Sequence, residues 1–357
     1  MQKNLLILLC SVYLFSCYSC DVVSSNGEDK IWHYENLNNL VICAYGIGDD
    51  TLAVVDLTTS EVLKIITDFE NILSVLSNAD GTRLFVSTGE GPAGTDPGAI
   101  YMINTQNWSH RQIYNHAVHL ISNRNGGIYF ITKITSDPHR TLGSINPDDG
   151  SINELGNIDV NWRSVYDDNA IEIHPHKPLV YAINGEKQLY QFNYETGKVK
   201  YIRPLSVARM TLSWGGDTLY IPGGPVIDLV TEQTVGFIPV WRLGYLAARR
   251  DNKEMYITDP GGYLRDPLPS GRIQIYSPEN NRITDEVNVL IDRQPWMTDR
   301  IYLTPEERYA IINDRMFSYF IIDLKRREVI YSHQFLKNNV RTLSMEGFYV
   351  APRPPGL

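Results

Sequence analysis

Residues 74–114 carry the pattern from which the rest of the chain can be read. Four short apolar runs, at 74–77, 83–87, 99–104 and 111–114, each have the length of a strand. The breaks between them differ in kind: 78–81 (NADG) and 105–107 (TQN) are tight polar turns, whereas 88–98 is a long Gly/Pro loop. Four strands punctuated this way form an antiparallel meander. The first run of the unit, an apolar pair followed by a polar or Gly-bearing turn, returns around Leu76, Leu120, Ile173, Leu212, Leu246, Leu303 and Leu343, spaced by 34 to 57 residues. Propeller blades repeat every roughly 40–50 residues. The expected fold is therefore all-β, a seven-bladed β-propeller of four-stranded antiparallel blades.

The first blade is short of a strand at its start. Runs at 41–45, 52–56 and 62–66 supply three strands, and the inner-strand pattern reappears after the last complete blade at 340–344. The expectation is that the C-terminal strand closes the ring by completing blade 1, which removes the open sheet edges of an unclosed array. The segment 348–350 (FYV) is a second strand candidate with no assigned place.

Ahead of this domain, residues 1–4 (MQKN) are a short basic start and 5–15 are apolar, the layout of a secretory signal. Eleven helical residues reach about 16 Å, half a bilayer's hydrocarbon core, so a spanning helix is not expected. Residues 14–17 (LFSC) resemble the bacterial lipobox, which implies lipidation of Cys17; Cys20 and an ordinary cleaved signal are the alternatives. The chain then divides into a lipoprotein signal (1–16), a polar tether (17–39) and the propeller domain (40–357). Membrane association is expected through the lipid anchor only. The charge, 32 Lys+Arg against 41 Asp+Glu for a net −9, disfavours a nucleic-acid partner. The four cysteines, at 10, 17, 20 and 43, offer neither a disulfide framework nor a zinc spacing.

The segments 78–86 (NADGTRLFV), 173–181 (IHPHKPLVY) and 303–310 (LTPEERYA), with 55–62 (VDLTTSEV) and 192–199 (FNYETGKV), resemble the YVTN-repeat seven-bladed propellers. The resemblance covers nearly the whole domain and implies the fold. Its members include lactonases and many ligand- or protein-binding proteins, so it leaves function open. Residues 259–263 (DPGGY) followed by 271–276 (GRIQIY) are also similar to lipid-anchored propellers of Bacteroidota, some of which capture corrinoids at the cell surface.

In a four-stranded blade, the loops between strands two and three and the links between blades share one face. The long segments 88–98, 133–140, 157–169, 259–271 and 290–300 all belong there, and rigidly held loops are where binding surfaces are built. They and the link between residues 238 and 244 carry Trp162, Arg163, Trp241, Arg242, Tyr263, Arg265 and Trp296, aromatic contact area beside planar guanidinium forks. Just ahead of the inner-strand anchors stand Arg209, Arg242, Arg300 and Arg341, candidates for a positive rim around the channel that would favour an anionic group.

No nucleophile elbow, zinc-protease helix or phosphate-cradling loop is present. The expected function is an extracytoplasmic propeller of the cell envelope, on either face of the outer membrane, that binds a small ligand, anionic or corrinoid, or an envelope protein. The alternative is a lactonase-type hydrolase using His116, His119, Glu90 and Arg242. His174 and His176 suit a surface turn better than a metal site, since they follow an inner strand on the face of tight turns.

Overall fold

The computed structural model describes residues 37–357 except 46–49, 68, 70, 90–97, 117, 123–125, 133–139, 159–169, 206–208, 241–243, 260–270, 292–293, 296–297, 315–317 and 335–346. These residues form seven four-stranded antiparallel sheets arranged as a β-propeller. Within each blade the strands are a, innermost, to d, outermost. Blade 2, the unit at 74–114, has strands Ile72–Ser77, Arg83–Thr88, Ile100–Asn104 and Ser109–Tyr114. The inner strands of blades 3 to 7 are Val118–Ser122, Ile171–Ile173, Thr211–Leu212, Leu246–Ala248 and Ile301–Leu303. The link from blade 6 to blade 7, expected as plain loop, holds a short ribbon of Leu290–Ile291 paired with Gln294–Pro295.

The turn joining strands c and d obeys one rule in all seven blades. A residue at or just past the end of strand c turns its side-chain oxygen back on the chain and accepts a backbone N–H two or three residues on. The acceptors are Asp56, Asn104, Asn146, Asn193, Asp228, Ser277 and Asp323. Four residues after each comes a left-handed backbone: Ser60, Trp108, Gly150, Gly197, Glu232, Asn281 and Arg327. Two of the seven are glycine, so the other five carry a steric cost of about 1 kcal/mol each. The side-chain cap returns about as much.

Each blade buries its faces against the next one. The pair of blades 6 and 7, for example, shares a core of Ile273, Ile275, Ile301, Ile312, Phe320 and Ile322. Full burial of such side chains contributes about 1.5–3 kcal/mol each. Cross-strand packing also explains two glycines: an added Cβ at Gly143 would fall 2.1 Å from the Phe130 ring, and one at Gly347 1.9 Å from the Tyr45 ring. In both cases the aromatic residue is the glycine's register partner on the adjacent strand. The ring lies over the space that the missing side chain leaves.

The ring closes through the C-terminal strand, and the closing segment is Gly347–Pro352, the strand candidate that the sequence left without a place. It pairs antiparallel with Leu40–Tyr45 and so becomes strand a of blade 1. The segment 340–344, expected in that role, lies outside the described residues, and Arg341 with it. Beyond the strand, Arg353 locks the clasp, its backbone N–H donating to Asn39 O at 2.6 Å and its guanidinium meeting Asp56 Oδ2 at 2.5 Å. Burial alone would raise the Asp56 carboxyl. The Thr58 hydroxyl, the Thr59 and Thr58 N–H groups and Arg353 outweigh it and bring the pKa down to about 2. At the seam between blades 7 and 1, Ser60 Oγ lies 2.7 Å from the Tyr319 hydroxyl and 2.6 Å from that of Tyr331. The Tyr319 hydroxyl also lies 2.9 Å from Leu57 O.

Candidate functional site

Residues two apart along a strand point to the same side of it. In blade 7 that puts Arg300 and Tyr302 on one face, and both line the central channel. In the other blades Ser74, Ser122, Glu172, Tyr245 and Tyr349 line it, enclosing together a cavity of about 190 Å³. Tyr45, from the second strand of blade 1, makes a fourth lining tyrosine. Tyr302 and Tyr349 meet edge to face, with centroids 6.2 Å apart. The cavity is smaller than the roughly 300 Å³ at which whole-ligand pockets begin. It suits an appendage of a ligand or a partner's side chain better than an entire molecule.

At the end where the blade links enter, three consecutive blades contribute to one stack. Arg209, Tyr245 and Arg300 each stand one or two residues ahead of their inner strands. The Arg209 guanidinium carbon lies 3.9 Å from the Tyr245 ring centroid and that of Arg300 5.9 Å from it. Arg209 is 7% exposed, so its charge sits away from bulk water on an aromatic face. Cation–π contacts of this kind contribute about 0.5–2 kcal/mol, more when desolvated. The result is positive charge held without mobile side chains beside a channel lined by hydroxyl-bearing rings.

Of the ten binding candidates in the sequence, these two arginines are the described ones. Trp162, Arg163, Trp241, Arg242, Tyr263, Arg265, Trp296 and Arg341 lie outside the described residues, as does Cys17. Of the hydrolase candidates, His116 is exposed and meets Tyr114 edge-on at 5.5 Å, His119 belongs to strand a of blade 3, and Glu90 and Arg242 lie outside the described residues. Among the described residues no group of His, Cys, Asp and Glu is placed to hold a metal ion. His174 serves the backbone: its Nδ1 accepts the N–H groups of His176 at 3.0 Å and Lys177 at 3.1 Å. No helix among the described residues is long and apolar enough to cross a membrane.

Sequence reasoning passed over the opposite mouth of the channel, on the face of tight turns. There Trp214 sits in the turn between strands a and b of blade 5, half-buried, with its indole Nε1–H donating to Ala248 O of blade 6 at 3.0 Å. The available signal was a tryptophan inside a polar, glycine-rich turn (residues 213–217, SWGGD), where no core requires one.

No protein-family model and no curated protein matches the sequence. Solved structures do. A functionally unknown protein from Desulfotomaculum acetoxidans superposes with a TM-score of 0.61 at 12% identity, over 88% of this chain and 99% of that one. Dihydro-heme d1 dehydrogenase NirN, in complex with DHE, gives 0.56 at 13% identity over 84% of this chain. This chain spans 64% of the NirN chain. Sqt1 of Saccharomyces cerevisiae gives 0.53 at 13% identity, over 88% of this chain and 93% of that one. The chain is a seven-bladed β-propeller. At these identities the likenesses show the fold alone.

Proposed function

We propose that this chain is a lipid-anchored, extracytoplasmic propeller of YVTN-repeat character that binds a ligand or an envelope protein at the link end of its channel. The observation that carries the reading is the Arg209–Tyr245–Arg300 stack beside a channel lined with tyrosines. Fixed positive charge in an acidic shell selects for an anionic group, and a narrow channel accepts that group while the rest of the ligand stays on the long-loop face. A small molecule with a carboxylate or phosphate arm fits this description. A corrinoid is one candidate, supplied by the resemblance to the lipid-anchored Bacteroidota propellers.

The test is the melting temperature of the purified full chain against a panel of carboxylates, phosphates and corrinoids. At least one member should raise it, and Arg300→Gln should reduce that compound's affinity about tenfold and flatten its salt dependence. A panel without a hit, or a hit indifferent to Arg300→Gln, overturns the reading. The anchor is tested separately: Cys17→Ser should move the protein from the membrane fraction to the soluble one, and unchanged partition with loss on Cys20→Ser would move the lipid to Cys20.

A further inference from the structure

The tight-turn mouth of the channel holds a larger cavity than its middle. Glu172, Trp214, Arg250, Tyr302, Leu303 and Glu307 are among the residues around a cavity of about 410 Å³. That lies within the roughly 300–1,000 Å³ of small-molecule sites. The turns of blades 5, 6 and 7 are cross-braced around it. Beyond the indole bond to Ala248, the Trp214 backbone N–H donates to Asn252 Oδ1 at 3.2 Å, so the ring is held as a platform.

The guanidinium carbon of Arg250 lies 4.9 Å from the centroid of that ring. The backbone N–H of Arg250 donates to Glu307 Oε1 at 2.6 Å, and Arg249 ion-pairs with Glu307 Oε2 at 3.5 Å. The Glu307 carboxylate is thus engaged by other groups. The Arg250 guanidinium is exposed, and among the described residues it is in contact with the indole and with no carboxylate. An arginine resting on an aromatic ring keeps its in-plane N–H donors directed outward, in the fork that matches a carboxylate.

We infer that the tight-turn mouth is a second binding site, for a small organic carboxylate clamped by Arg250 with its apolar body against Trp214 and Leu303. The site goes beyond the function proposed above, since it lies at the other end of the channel and its arginine is neither of the two in the stack. A carboxylate is favoured over a phosphate because Glu172 and Glu307 line the same cavity, and a dianion meets twice the repulsion of a monoanion.

The test is calorimetric titration of the purified full chain with benzoate, benzamide and inorganic phosphate. A fragment of nine heavy atoms should bind with a Kd on the order of a few millimolar. Benzamide and phosphate should each bind at least about tenfold more weakly, Arg250→Gln should weaken benzoate about tenfold, and Arg250→Lys should recover part of the loss. Because Arg250 is exposed, both variants should melt within a few degrees of the parent, which separates lost binding from lost folding. Absence of benzoate saturation at 50 mM, equal affinity for benzamide or phosphate, or undiminished benzoate binding by Arg250→Gln would each overturn the assignment.

Discussion

A chain ended after residue 346 should lose its single cooperative melting transition, with stability falling by more than about 5 kcal/mol, the whole margin of many domains. The deletion removes strand a of blade 1, and with it the ladder along Leu40–Tyr45 and the burial of Ala351. It also exposes the turn of blade 2, where Gly81 packs so closely on Pro352 that an added Cβ would lie 2.8 Å from its carbonyl oxygen. A propeller without its closing strand has an unpaired edge facing the channel, which invites pairing between molecules. Arg353→Ala keeps the strand but takes a charged partner from Asp56, whose side chain is 7% exposed, and should cost about 2 kcal/mol. Calorimetry on the three proteins decides the matter. A truncated chain that melts cooperatively within a few degrees of the full chain would show that closure contributes little.

Stability should fall by about 3 kcal/mol as pH drops from 6.5 to 4, and His174 should account for most of the loss. Burial pushes the pKa of this imidazole down to about 4, and Lys177 and His176 add to the effect while Asp217 opposes it. The sign follows from which state binds the proton. The unfolded chain takes it up near pH 6.5, whereas the native ring, its Nδ1 already accepting two N–H groups, resists until about pH 4. The stabilisation is therefore complete above pH 6.5 and is lost as pH falls through this window. A turn glycine of the next blade, Gly216, seals the ring: an added Cβ there would lie 2.6 Å from it. Corresponding turns of other blades use groups that do not titrate here, with Asn78 accepting the N–H of Arg83, Ser213 that of Thr218 and Thr304 that of Tyr309. His174→Asn should accordingly keep the turn and flatten the profile between pH 6.5 and 4. Asp56, which responds below its ordinary pKa of 3.8, leaves this window clear. A variant that follows the same acid curve as the parent would assign the loss to other groups.

The sequence by itself determined most of the strands, the turns within the blades and the number of blades, because each is a local matter. Alternation within a run such as 83–88 sets which side chains face a neighbouring blade. The seven turns with an Asp, Asn or Ser cap and a left-handed residue four positions later use atoms within five residues of one another. Local chemistry of that kind is written along the chain and can be read there.

Only the tertiary structure decided which contacts join distant segments. Both 340–344 and 348–350 have strand character; pairing with Leu40–Tyr45, which sets Gly347 under the Tyr45 ring, selects the second. Arg209 and Arg300 belong to links of different blades, and their shared aromatic partner, Tyr245, comes from a third. Trp214 and Arg250 likewise meet across turns of two different blades. The physical reason is the same in every case. A propeller brings to one axis residues that stand one blade or many blades apart in the chain, and their distances and directions depend on the register and twist of every sheet between them.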